Sequence, residues 1–153
     1  MAAQVIHFGN DDCYRVPVLR ATGFEVIEAK SLDELGVDLQ RNRQVDAVIV
    51  SEDIEPTAER AADIVRRSAL APVVLFRRSQ REINKSKFDK VYTYMTPPDV
   101  WLNETVVLIA KGYKLQAEAA RLRAEAAAVQ AETLRQGMRA HGLRKKQPNP
   151  NRL

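Results

Sequence analysis

Few residues in this sequence carry groups able to do chemistry, and their spacing narrows what that chemistry can be. Two carboxylate doublets stand out, Asp11-Asp12 and Glu52-Asp53. The first closes the run Gly9-Asn10-Asp11-Asp12. That run is no phosphate loop: it lacks the glycine density and the lysine of a P-loop, and its acids repel phosphate. To act as a base or ligand, His7 would want a second ligand or a nucleophile nearby. The other histidine, His141, lies in the C-terminal tail, so His7 reads as a packed strand residue. Cys13, the only cysteine, falls near a helix start, where a thiol pKa is lowered. No base accompanies it, and one cysteine builds neither a disulfide framework nor a cysteine-rich metal site. It reads as an ordinary thiol in a reducing cytoplasm.

The elements that must position these groups are legible as short apolar runs alternating with amphipathic stretches. Val5-Ile6-His7-Phe8, Phe24-Glu25-Val26-Ile27, Ala47-Val48-Ile49-Val50, Val73-Val74-Leu75-Phe76 and Val91-Tyr92-Thr93-Tyr94 have strand length and β-branched or aromatic content. The third and fourth are continuously apolar, as central strands covered on both faces are. Between them, helices are expected over 13–22, closed by Gly23; from Ser31, whose Ser-Leu-Asp-Glu run offers a capping box, to about Asn42; over 57–69, with Ala61, Ile64, Val65 and Ala69 at helical spacing; and, from a weak polar pattern, over 80–88. Five strands alternating with helices predict a doubly wound α/β sheet.

The order of elements resembles the receiver domain of bacterial response regulators, the CheY-like family, over about residues 3–112. The likeness rests on Gly23-Phe24-Glu25-Val26, on Asp46-Ala47-Val48-Ile49-Val50, on Pro72-Val73-Val74-Leu75-Phe76 and on Thr96-Pro97. It implies a five-stranded parallel sheet of order 2-1-3-4-5, with its site outside the carboxyl ends of the strands. It also implies a possible cis bond before Pro97 and partner contacts through the helix 4–strand 5–helix 5 face.

The family's chemistry needs an acceptor carboxylate, two acids to hold magnesium, and a hydroxyl and a lysine for the phosphoryl oxygens. At those positions this sequence has Ser51, Gly9 and Asn10, Arg77 and Thr96. The resemblance therefore implies a degenerate pseudo-receiver with no catalytic residues, no metal and no cofactor. A shifted register remains the alternative: Asp11, Asp12, Glu52 and Asp53 would then form a residual acidic pocket, and magnesium and aspartyl phosphorylation would return. Arg77 either crowns that pocket as a fixed internal cation, locking one conformation, or points to solvent like Arg78.

The last helix starts near Pro98-Asp99 and meets no stop until Gly137 or Gly142. At ~1.5 Å per residue it exceeds about 50 Å, more than a domain of this size covers, so its second half must project or find a partner. Leu108, Leu115, Leu122 and Val129 recur every seven residues, with Ala119 and Ala126 completing a narrow seam. A seven-residue repeat favours a left-handed supercoil with another helix; an alanine-rich solvated helix held by local charge pairs is the bland alternative.

Charge is uneven along the chain. Residues 1–110 hold fourteen Lys/Arg against seventeen Asp/Glu, and residues 111–153 hold ten against three. No reading helix or aromatic platform accompanies the basic tail, so nucleic acid is a weaker candidate than protein. No apolar run approaches the ~20 residues of a membrane span, and the N-terminus has no signal-peptide pattern. The expected organisation is a receiver-like domain over 1–114, a helical extension over 115–142 and a disordered basic tail over 143–153. The expected function is a cytoplasmic, non-enzymatic signalling module that forms a homodimer or binds a protein partner through its last helix. The alternatives are a working phospho-receiver and a regulator that binds nucleic acid through its tail.

Overall fold

The structure, a computed structural model, describes residues 2–42, 44–53 and 57–146. Five strands form one parallel sheet: β1 Gln4–Phe8, β2 Glu25–Ala29, β3 Ala47–Ser51, β4 Val73–Arg77 and β5 Lys90–Thr93. Their order is β2-β1-β3-β4-β5. The helices are α1 Arg15–Ala21, α2 Leu32–Arg41, α3 Ala58–Ser68 and α4 Pro98–Lys146. This is the doubly wound α/β fold expected, with the extended C-terminal helix.

Alternation along each strand divides the core into two layers. Ile6, Phe8, Val48, Val50, Val73 and Leu75 pack with α2 and α3. Val5, Ala47, Ile49, Val74 and Phe76 face Leu19 of α1 and Trp101 and Ile109 of α4. Every residue of β3 is buried, which is why that strand reads as unbroken apolar sequence. The α2 start forms as expected: Ser31 Oγ accepts from the Glu34 amide at 3.1 Å, while the Glu34 carboxylate accepts from the Lys30 amide at 2.7 Å.

Four expectations are corrected. The 80–88 segment has no α-helix, only a 3-10 turn at Lys85–Lys87; its apolar surface is limited to Phe88, buried in the core, and Ile83, which packs against it. Of the expected helix 4–strand 5–helix 5 surface, only β5 and α4 form among the described residues. No peptide bond among the described residues is cis, so the Thr96–Pro97 bond is trans. Neither Gly137 nor Gly142 ends α4, which continues to Lys146; an isolated glycine costs a helix only ~1 kcal/mol. Residues 143–146 of the expected tail are thus helical, and 147–153 lie outside the described residues.

The chain divides into two units, Met1–Tyr113 and Lys114–Leu153. The first holds the sheet, its flanking helices and the start of α4. The second holds the remainder of α4, whose described side chains are nearly all exposed. Among the described residues no helix is long and apolar enough to cross a membrane.

Candidate functional site

The strands end together beside Gly9, Ser51 and Arg77, where a doubly wound sheet usually places its site. Gly9 follows β1 with φ +93°. A Cβ built there falls 2.8 Å from the Ser51 carbonyl oxygen, so this backbone excludes a side chain at position 9. Asn10 follows, exposed.

Ser51 closes β3 with its hydroxyl turned into the α1/α4 layer, not toward solvent. Its Oγ accepts from Arg15 Nη2 at 2.8 Å. Arg15 is the first residue of α1 and is 2% exposed. Its guanidinium carbon lies 4.3 Å from the centre of the Phe76 ring, and Phe76 meets Trp101 edge-on at 5.5 Å. A cation over an aromatic face gains electrostatically, and more when desolvated. Even so, Arg15 Nε and Nη1 have no hydrogen-bond partner, and burial pulls its pKa down while Asp11 pushes it up.

His7 belongs to the same layer. It is fully buried and neither ring nitrogen has a partner. Burial first, then the positive charge of Arg15, lowers its pKa to about 4, so the ring is neutral at physiological pH. It is the packed strand histidine that the sequence suggests.

The four carboxylates of the expected acidic pocket do not converge. Asp11 caps α1, its two oxygens accepting from the amides of Arg15 and Val16 at 2.7 and 2.9 Å. Asp12 pairs with Arg78 at 2.7 Å. Glu52 accepts from the Ser79 amide at 2.8 Å and lies 3.4 Å from Arg77 Nε. Asp53 follows, exposed. Among the described residues no three His, Cys, Asp or Glu side chains lie in metal-holding proximity.

Arg77 neither crowns a shared pocket nor points freely to solvent: it leans on Glu52 and also donates to the Arg81 carbonyl. Arg78 is the more exposed guanidinium, over the Tyr94 ring at 5.2 Å. Thr96 sits with its hydroxyl 3.1 Å from that of Thr93. The buried cation of the layer is Arg15, which sequence reasoning missed. One signal was present: Arg15 stands four residues before Leu19 and one before Val16, on the face that α1 buries.

A cleft of about 300 Å³ opens between α3 and the 79–87 segment, lined by Glu52, Glu59, Asp63, Ser79, Ile83 and Lys87. Lys87 ties its walls, bonding Asp63 at 3.1 Å and approaching Glu59 at 3.9 Å.

On α4 the seam residues separate into two groups. Leu108 packs against the second core layer beside buried Ile109, so it serves the domain core, not an external seam. Leu115, Leu122 and Val129 are 66%, 53% and 66% exposed; Ala126 is exposed and Ala119 half-buried.

No family model matches this sequence, and no curated protein matches it. Its likeness is to solved structures. An adenylate cyclase from Rhodopirellula baltica superposes with a TM-score of 0.68 at 10% identity, over 80% of this chain and 98% of that one. The chemotaxis protein CheY4 of Vibrio cholerae gives 0.58 at 17% identity, over 71% and 99%. The receiver domain of a Pseudomonas aeruginosa sensor histidine kinase, with magnesium coordinated in its active-site cleft, gives 0.57 at 10% identity, over 72% and 99%. At these identities the likeness defines the fold: residues of the first unit adopt the response-regulator receiver, or CheY-like, architecture.

Proposed function

We propose that this chain is a non-catalytic signalling or protein-interaction module, not phosphorylated on aspartate, that associates through the extension of α4. One observation carries the reading: the carboxyl end of β3 is closed by the buried Arg15–Ser51 pair, and Asp11, Asp12 and Glu52 are each committed to a different partner. Aspartyl phosphorylation needs an accessible carboxylate with acids beside it to hold magnesium. Glu52, the carboxylate nearest that role, is 7% exposed and engaged by the Ser79 amide and Arg77. The exposed leucines of the extension supply surface for a partner helix. The lone Cys13 fits a reducing cytoplasm.

The test is the solution mass of the full-length protein with and without magnesium and beryllofluoride, a phosphoryl mimic. The expected result is a mass above the monomer that the mimic leaves unchanged and that Leu122→Asp reduces to the monomer. A change with the mimic would refute the unphosphorylated reading; a monomer in every condition would refute self-association.

A further inference from the structure

We infer that the occupant of the α4 seam is a second copy of this chain, lying parallel and in register over about residues 112–133. This rests on the self-association proposed above and adds partner, direction and register. The pattern of the extension assigns its faces. With Leu115, Leu122 and Val129 at heptad position d, Ala119, Ala126 and Thr133 fall at a. Position g is then Glu118, Glu125 and Glu132, and position e is Gln116, Arg123 and Gln130.

Charges flanking a seam decide which way two helices run. In a parallel pair each g residue meets the e residue five positions on in its partner. Glu118 then meets Arg123, twice by symmetry, Glu125 meets Gln130, and Glu132 meets the uncharged Gly137. In an antiparallel pair g faces g, and the glutamates at 118, 125 and 132 confront one another. One arrangement yields two opposite-charge pairs within the seam; the other gathers like charges along its length.

The structure shows which charges are already taken. Within the helix Arg121 lies 3.9 Å from Glu125, and Arg135 lies 3.5 Å from Glu132. Arg123 has no acid within reach on its own helix, because the residues three and four away on either side are Ala119, Ala120, Ala126 and Ala127. A cation set among alanines beside a leucine seam is placed for an acid from outside. The alanines at a let the two backbones approach closely. Past Gln136, which sets an amide on the seam, the sequence turns uniformly basic and the pairing ends.

The experiment uses the full chain in a Cys13→Ser background, with single cysteines Ala119→Cys and Thr133→Cys. Under mild oxidation each variant alone should form a disulfide-linked dimer, since equal positions at a come within disulfide reach only in a parallel pair in register. Charge gives a second arm: Glu118→Arg should weaken the dimer several-fold, and Glu118→Arg with Arg123→Glu should restore it. If neither variant links although the Cys13→Ser parent is a dimer, and Glu118→Arg tightens that dimer, the parallel assignment fails while self-association stands. If no variant links and the Cys13→Ser parent is a monomer, self-association fails as well.

Discussion

At the scale of residues, His7 and Arg15 share the α1/α4 layer, and their proximity has a measurable cost. The folded state holds the His7 pKa near 4, whereas an unfolded chain gives the ordinary value of about 6.5. Between those values the unfolded state takes up a proton that the folded state refuses. Stability from this group is therefore fully present above pH 6.5 and is lost as pH falls toward 4. Between pH 7 and pH 5 the loss is about 2 kcal/mol. Urea titrations at the two pH values should show that difference, and His7→Leu should remove it. Arg15→Met should raise the His7 midpoint, as read by NMR titration, but only partway to 6.5, because burial is the larger cause. Unchanged slopes in His7→Leu would show that another group governs the acid limb. Of this cluster the sequence revealed His7 as a packed residue and placed Ser51 at the carboxyl end of β3. Their connection was illegible, because it depends on an arginine brought from the first turn of α1 across to the end of β3.

At the scale of elements, legibility follows burial. β3 and β4 lie in the middle of the sheet, so their sequences are uninterrupted apolar runs. The edge strand β5 mixes exposed Lys90 and Thr93 with half-buried Val91 and Tyr92, and was still found from its residue types. The 80–88 segment misled because polar residues at loose helical spacing resemble a solvated helix, yet nothing there makes an apolar face. α1 departs in another way: it begins only at Arg15, after Tyr14 in a left-handed conformation with φ 57°. Its seven residues rely on Asp11, which accepts from two amides of the first turn. Because Asp11 also faces the buried Arg15 charge, Asp11→Ala should cost more than an ordinary cap, about 2 kcal/mol. Asp11→Asn keeps an acceptor and should recover about half of that. Chemical denaturation of the three proteins orders them; equal stability for Ala and wild type would show that the cap is not what holds α1.

At the scale of the molecule, the two units rest on different physics. Met1–Tyr113 has two apolar layers, with Trp101 and Ile109 anchoring the start of α4. Among its described residues from Lys114 onward, the helix has nearly all side chains exposed and no buried core. Alanine-rich sequence and the Arg121–Glu125 and Glu132–Arg135 pairs favour helix by only a few tenths of a kcal/mol each. Helices in proteins gain most of their stability by burying a face. If that face is buried against another copy, mass action makes the melting of this segment depend on concentration, while the α/β body does not. Helicity at 222 nm should accordingly fall in two steps on heating. A hundredfold dilution should lower the first midpoint and leave the second in place. Leu122→Asp should bring the first step down to the value reached at high dilution, at every concentration. A first step that ignores both dilution and Leu122→Asp would mean that the segment is held by its own propensity, as a solvated helix, and that the exposed Leu115, Leu122 and Val129 serve no partner.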